Sequence, residues 1–366
     1  MIACVIGTRP EAIKMAPVIR AIKALRYPIK VITTGQHDEL LTQAMNDMEI
    51  KADFKLRRHR GDSTLSSFLG SLIKDLDKLF NKIQPYTVMA QGDTATVLAA
   101  ATVCMMNRLP FGLVEAGLRT YNLKKPFPEE YNRRVASVGA TWLFAATDSA
   151  YANLMQETIG TAHCYVTGNT VVDSIQWALL CKPPQLNLPH TVTNAPILVT
   201  CHRRETFGVP LWNVCQAIAD FAREHKDREI WWPVHPNPDV QIPVYKRLGG
   251  ISNIKLMEPQ GYLKFINMMA ASALIVTDSG GISEEVATLG KRALILRSAT
   301  ERPECLDTCC RLVGTDMDNV KAAIEETLKL DPLPRMVNPF GDGRAGSRIA
   351  STVVGHLRSI YGNDQT

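Results

Sequence analysis

The sequence predicts an α/β protein built as two Rossmann-like domains facing a cleft. Three observations predict it. Short apolar runs alternate with amphipathic segments along nearly the whole chain, the pattern of parallel strands joined by helical crossovers. A length of 366 residues exceeds what one ordinary core organises, so about two domains are expected. A stretch over 181–195, with Pro183, Pro184 and Pro189 and no apolar period, interrupts the alternation, which then restarts.

In the first half, residues 2–6, 29–33, 86–90, 111–114 and 143–146 read as buried strands. The best-marked helix follows Asp62, read as its cap. Leu65, Phe68, Leu69, Leu72, Ile73, Leu76, Leu79, Phe80 and Ile83 recur there at spacings of three and four. In the second half, 197–200, 229–233, 254–256, 273–277 and 293–296 are the strands, and a last helical pattern spans about 345–361. Open parallel sheets bind ligands outside the carboxyl ends of their strands, so polar residues just after strands are the ones to weigh.

Composition narrows the class. With 46% hydrophobic and 21% charged residues, disorder, collagen and coiled coil are excluded. The net charge of +5 is spread along the chain and does not demand nucleic acid. The basic run 57–60 lacks interleaved aromatics and reads as a solvated edge. The longest apolar run, 97–106, is far shorter than the ~20 residues a membrane-spanning helix needs. The opening Met-Ile-Ala-Cys-Val-Ile-Gly reads as a first strand rather than a signal peptide. A soluble cytoplasmic protein, with no nucleic acid and no membrane insertion, is expected. None of the nine cysteines forms a C-x-x-C pair. Cys4, Cys104, Cys201 and Cys215 read as core thiols, and Cys305, Cys309 and Cys310 as a reduced cluster; no metal is expected.

Gly7-Thr8-Arg9-Pro10-Glu11 follows the first strand and opens a helix. Arg9, with Lys14 one turn on, suits an anion at the helix start, or is simply surface charge. Gln91-Gly92-Asp93-Thr94 follows another strand, with Asp93 or Thr94 also able to serve as a plain cap. Glu115 directly continues a buried strand, which is costly without a partner; an ion pair with Arg119 is the structural alternative. After Pro126 and Pro128, Glu129 and Arg133 stand four apart, as do Glu130 and Arg134. Asp93, Glu115 and Glu129 thus offer three carboxylates to one cleft, which suits proton transfer.

His202-Arg203-Arg204 makes a cationic strand end in the second half. His202 and His235 lack the spacing of a metal site. In Thr277-Asp278-Ser279-Gly280-Gly281, a strand runs into two glycines and then a helix. The N–H groups at that start, the Ser279 hydroxyl and Glu285 one turn in suit a nucleotide diphosphate with its ribose, or Ser279 is an ordinary cap. Thr300-Glu301-Arg302-Pro303 places a further Arg at a helix start. Gly341-Asp342-Gly343-Arg344-Ala345-Gly346 fits G-x-G-x-x-G. It follows no strand and precedes no βαβ unit, so it is not read as a dinucleotide site.

Together these blocks resemble the non-hydrolysing UDP-N-acetylglucosamine 2-epimerases of bacteria. The matching segments are GTRPEAIKMAP at 7–17, TGQH at 34–37, QGDT at 91–94, VEAGLRT at 114–120 and PEEYNRR at 128–134. They continue with TGNTVVD at 167–173, HRRE at 202–205, PVHPNP at 233–238, TDSGGISEE at 277–285, TERPE at 300–304 and NPFGDGRA at 338–345. The resemblance implies the fold of the large GT-B nucleotide-sugar glycosyltransferases. Residues 1–168 would form the first domain, completed by the final helix over about 352–366, and 169–351 the second.

It further implies inversion at C2 of UDP-N-acetylglucosamine to give UDP-N-acetylmannosamine, without a cofactor, for polysaccharide biosynthesis such as cell wall or capsule. The route implied is anti elimination of UDP to a 2-acetamidoglucal and syn re-addition. Asp93, Glu115, Glu129, Arg133 and His202 match the catalytic positions. Arg9, Lys14 and His202 match those near the diphosphate, Gln260 and Phe265 those around the uracil. Ser279, Gly280, Gly281, Glu285 and Arg302 match the remaining UDP contacts. A homodimer is implied. So is an allosteric site for a second substrate molecule, which Gln36 and His235 match. After HRRE, Thr206 stands where the family usually has Asn. At the activator site two acidic replacements, Glu39 and Asp62, imply altered or weak activation. A glycosyltransferase or a hydrolysing 2-epimerase is the alternative.

Overall fold

Ile2–Ile6 forms the first strand, β1, and all five of its residues are buried. A continuous apolar run of that length suits a strand covered on both faces. The computed structural model describes residues 1–35, 38–56, 64–157, 163–181, 194–300, 303–306, 308–334 and 337–362. They fall into two units, 1–176 with 340–366, and 177–339.

In the first unit β1 is followed by α1 (Arg9–Ala24), β2 (Ile29–Thr33), α2 (Asp38–Asp47), β3 (Phe54–Lys55) and α3 (Leu65–Ile83). Then come β4 (Thr87–Gln91), α4 (Ala95–Met106), β5 (Phe111–Ala116), α5 (Glu129–Val138), β6 (Trp142–Ala145), α6 (Asp148–Gln156), β7 (His163–Val166) and α7 (Thr170–Cys181). The strands make one parallel sheet in the order β3-β2-β1-β4-β5-β6-β7. Chain direction across the sheet reverses between β1 and β4, which is where a doubly wound sheet opens a ligand crevice. Leu72, Leu76 and Phe80, four apart on α3, are buried in a core shared with Ala3 and Val5 of β1 and Val97 of α4. The cap of α3 is Thr64, whose hydroxyl accepts the Ser67 N–H at 3.1 Å. Asp62, the expected cap, lies outside the described residues.

The second unit runs β8 (Asn194–Thr200), α8 (Val209–Glu224), β9 (Arg228–Pro233), α9 (Pro238–Leu248), β10 (Ile254–Met257) and α10 (Tyr262–Ala271). It continues with β11 (Leu274–Thr277), α11 (Ile282–Leu289), β12 (Arg292–Ile295), β13 (Cys310–Leu312) and α12 (Met317–Leu328). Its sheet is also parallel, in the order β10-β9-β8-β11-β12-β13, and reverses between β8 and β11. Val199, Trp232 and Val276 share a core with Ile218 and Phe221 of α8 and Ile324 of α12. Of the expected connection at 181–195, Cys181 ends α7 and 194–195 begin β8; the remainder lies outside the described residues.

The last helix, α13 (Ala345–Tyr361), belongs to the first unit. Its buried residues Gly346, Ile349, Ala350, Val353, Val354 and Leu357 form one stripe. Gly346 lies so close to Pro17 of α1 that a side chain there would overlap it. The two units divide at 176/177 and 339/340, and local bonding accompanies that division. Asp173 of α7 accepts the Ala345 and Gly346 N–H groups at 3.2 and 2.8 Å, and Ser174 donates to the Ile13 carbonyl at 2.7 Å. Asn169 N–H donates to the Phe340 carbonyl at 2.7 Å. These bonds tie the start of α7 to α1 and residues 340–346 to the start of α7. Among the described residues no helix is long and apolar enough to cross a membrane.

Candidate active site

Both reversal points carry the polar residues anticipated after the strands. In the first unit, β1 leads into Gly7, Thr8 and Arg9, and the neighbouring β4 into Gly92, Asp93 and Thr94. The start of α1 already holds an internal carboxylate. Glu11, 1% exposed, accepts the Gly7 N–H at 2.6 Å and the Thr8 hydroxyl at 3.0 Å. Burial pushes its carboxyl up to about 7, against the lowering effect of the Gly7, Thr94 and Thr8 donors; the charge of Asp93 adds to the rise. Thr94, not Asp93, caps α4, accepting the Val97 N–H at 3.4 Å. Asp93 is thereby left for other work.

Asp93 is half-buried, and its Oδ2 accepts from the Arg133 guanidinium at 2.6 Å. Asn132 of α5 donates to the Asp93 carbonyl at 2.8 Å, so two residues of one helix fix this strand end. Arg133 also reaches Glu130 at 3.2 Å, and Glu130 accepts the Thr120 and Tyr121 N–H groups at 3.0 Å each. The expected pairing of Arg133 with Glu129 is replaced by these two contacts. Arg134 lies 3.7 Å from Glu157 instead of pairing with Glu130. Glu129 starts α5 with its Oε2 buried and without a hydrogen-bond partner among the described residues.

Glu115 sits where β5 slips register against β6, with φ of 61°. A non-glycine residue in the left-handed region at a bulge re-aims its side chain and is a strained feature typical of functional sites. Its carboxylate takes the Lys14 ammonium at 2.7 and 2.6 Å and the Gln91 amide at 2.5 Å, all three side chains being buried. Two expectations change here. Lys14, read as a cation for an anion at the α1 start, has its ammonium on Glu115. Arg119, the alternative partner for Glu115, is held by Glu157 at 2.7 and 2.8 Å.

In the second unit, β8 leads into Cys201-His202 and its neighbour β11 into Asp278-Ser279. Asp278 is fully buried and organises both ends. Its Oδ2 accepts the N–H groups of His202 and Arg203 at 2.8 Å each, the Thr206 hydroxyl at 3.0 Å and the Cys201 thiol at 3.3 Å. The His202 ring stacks on the His235 ring with centroids 5.9 Å apart. Burial pulls His235 down from the usual imidazole value, and the charge of Asp278 partly opposes this. His235 is thus part of the His202 environment.

Ser279 N–H donates to the Thr277 hydroxyl at 3.0 Å, and α11 follows without a side-chain cap. Neither crowding nor backbone conformation requires glycine at 281. A Cβ there would meet nothing nearer than the Ser279 hydroxyl at 4.0 Å, and φ is −63°. Room at this helix start, which has no side-chain cap, suits an anion arriving from outside the chain. Gly280 precedes it, and Glu285 stands half-buried in the first turn of α11. Gln260 follows β10, its amide donating to the Glu258 carbonyl, and Phe265 is half-buried on α10. Gln36 and Arg302 lie outside the described residues. Sequence reasoning missed Glu11 and Asp278. Both stand in the blocks it singled out, but as residues with neighbours assigned more obvious tasks.

A family model described as UDP-N-acetylglucosamine 2-epimerase matches residues 20–354. The chain is 38% identical to the UDP-N-acetylglucosamine 2-epimerase of Yersinia pestis over 96% of this chain and 98% of that protein. Its structure is similar to that of UDP-GlcNAc 2-epimerase from Neisseria meningitidis bound to UDP-GlcNAc. The TM-score is 0.89 and the identity 37%, covering 97% of this chain and 99% of that one. It is also similar to UDP-GlcNAc 2-epimerase from Methanocaldococcus jannaschii in complex with UDP-GlcNAc and UDP. Here the TM-score is 0.84 and the identity 31%, covering 97% and 99%.

Proposed function

The chain belongs to the UDP-N-acetylglucosamine 2-epimerase family, and from that premise we propose that it interconverts UDP-N-acetylglucosamine and UDP-N-acetylmannosamine without hydrolysis. One observation supports this above the others: Asp93 and Glu115 leave adjacent strands β4 and β5, each held by its own cation, with Glu129 on the helix that supplies Arg133. A binding protein for UDP-sugars would need no such set of carboxylates.

The C2 proton is not adjacent to a carbonyl, so direct abstraction is unfavourable. Departure of UDP from C1 solves this. A carboxylate takes the C2 proton, its bonding pair forms the C1–C2 double bond, and the C1–O pair leaves with UDP. The 2-acetamidoglucal then accepts a proton at C2 on its other face while a UDP oxygen re-forms the C1 bond. Two faces require two proton carriers, drawn from Asp93, Glu115 and Glu129. Arg9, His202, Arg302, Ser279, Gly280, Gly281 and the start of α11 would stabilise the departing diphosphate. Gln260 and Phe265 would hold the uracil and Glu285 the ribose hydroxyls. Lys14 acts through Glu115 in this scheme rather than on phosphate.

Activation by a second substrate molecule is proposed to be weak or altered, since Glu39 brings negative charge near Gln36 and His235 stands with His202. A hyperbolic dependence of rate on UDP-N-acetylglucosamine is expected; a sigmoidal one would count against it. A homodimer working in the cytoplasm for polysaccharide synthesis completes the proposal.

The test is incubation with UDP-N-acetylglucosamine alone in deuterated water, followed by proton NMR. Deuterium at C2 with an accumulating manno isomer is expected. Free N-acetylmannosamine would indicate hydrolysis, and an unchanged substrate would point to a glycosyltransferase lacking its acceptor.

A further inference from the structure

Three cysteine thiols to which the proposed reaction assigns no role converge in the second unit, beside α11. Cys305 ends a short 3-10 turn at Pro303–Cys305, and Cys309 and Cys310 lead into β13. All three are buried, at 0%, 4% and 4% exposure. Their sulphurs lie within 4.8 Å of one another, with Cys309 Sγ and Cys310 Sγ 3.9 Å apart. The backbone holds them there. Cys309 N–H donates to the Cys305 carbonyl at 3.3 Å, Ala293 N–H of β12 donates to the Cys309 carbonyl at 2.8 Å, and Leu306 bridges to Cys310.

That spacing is what a thiolate-bound ion needs. Metal–sulphur bonds of about 2.3 Å, opened to tetrahedral or trigonal angles, put the sulphurs about 3.8–4.0 Å apart. The Cys309–Cys310 pair already meets it, and Cys305 needs to close by at most about an ångström. The donor set is three sulphurs, the kind that selects soft d10 cations over oxygen-seeking ones. Burial leaves no open coordination position for catalysis, so the role is structural or regulatory.

From this geometry we infer that Cys305, Cys309 and Cys310 form a three-coordinate site for a thiophilic d10 cation of the zinc, cadmium or monovalent copper class. A divalent ion bound by the three sulphurs displaces the thiol protons, giving a trithiolate complex and releasing those protons to solvent. Cys305 also gives up its 3.3 Å bond to the Ser283 carbonyl of α11.

The test is titration of the reduced full-length protein with Cd²⁺, in a phosphine reductant that does not supply thiols. A sulphur-to-cadmium charge-transfer band saturating at one equivalent, with protons released and three sulphur neighbours by X-ray absorption, is expected. The band should be lost in both Cys305→Ser and Cys309→Ser, while UDP binding by each variant shows that it is folded. Absence of the band at stoichiometric Cd²⁺, fewer than three sulphur neighbours in the wild-type complex, or a band unchanged in both variants would overturn the inference.

Discussion

The buried carboxylate of Asp278 accepts the backbone N–H of His202 at 2.8 Å through one oxygen, and its other oxygen lies 3.4 Å from the His202 ring. One acid just after β11 thus fixes the backbone of a residue just after β8 and stands beside its ring. Through Arg203, Thr206 and Cys201 it holds the rest of that loop as well. Removing it by Asp278→Ala strands several buried donors, and stability should fall by about 3 kcal/mol. UDP affinity should weaken by about tenfold, as His202 loses its register. Urea unfolding and calorimetric titration with UDP check the two effects. Asp278→Asn, which keeps an accepting oxygen, should lose less of each.

Lys14 and Glu115 form a pair that neither partner survives alone. Lys14→Met removes the ammonium that meets the buried Glu115 carboxylate at 2.7 and 2.6 Å. Breaking a buried pair from one side costs about 3–5 kcal/mol, so a marked drop in unfolding midpoint is expected. Lys14→Met with Glu115→Gln should recover much of that stability, because the buried carboxylate is removed together with its ammonium. It should not recover epimerisation, since the carboxylate is gone. Recovered activity in the double variant would remove Glu115 from the proton transfers.

Much of this was legible in the sequence because the signals were local. Buried parallel strands are continuous apolar runs, and β1 and β2 appear over the expected residues. The final helix covers 345–361 as its spacing predicts. What escaped was set by tertiary contact. β3 has two residues, and β7 is an edge strand whose His163, Tyr165 and Val166 are exposed, so neither carries an apolar run. β13 is three residues long and begins at Cys310, too short to carry an apolar run. Glu115 found Lys14 across 101 residues of chain, where local reasoning offered Arg119. Asp278 and Glu11 are recognisable only once the loops they hold are folded.

Glu11 should make stability depend on pH. Its carboxyl rises from an ordinary 4.5 to about 7 in the folded protein, chiefly through burial. The folded chain therefore binds the proton more tightly than the unfolded chain. Between about pH 4.5 and 7 unfolding releases that proton, so this contribution to stability falls as pH rises and levels off above 7. The total is about 3 kcal/mol. Glu11→Gln keeps the size and an acceptor for the Gly7 N–H but cannot ionise. Relative to the wild type, the variant should gain stability between pH 5 and 8 in denaturant titrations. A parallel pH dependence of the two proteins would show that Glu11 titrates normally.

Asp93→Asn separates proton transfer from binding. The substitution is isosteric and leaves the Asn132 bond to the main-chain carbonyl in place. The start of α4 does not depend on it, because Thr94 is the cap. Arg133 retains Glu130 as a partner, so no guanidinium is left alone. The residues proposed for UDP after β8 and β11 belong to the other unit of the chain. UDP affinity should therefore remain as in the wild type. If Asp93 carries one of the two C2 protons, epimerisation should fall by about 10²–10⁴-fold, the usual contribution of a positioned acid or base. Exchange at C2 in deuterated water distinguishes its role. Exchange lost together with epimerisation identifies Asp93 as the group that removes the proton from UDP-N-acetylglucosamine. Glycal and UDP accumulating without the manno isomer would place it on the return step. Undiminished exchange and turnover would leave Glu115 and Glu129 as the carriers and make Asp93 a positioning residue for Arg133.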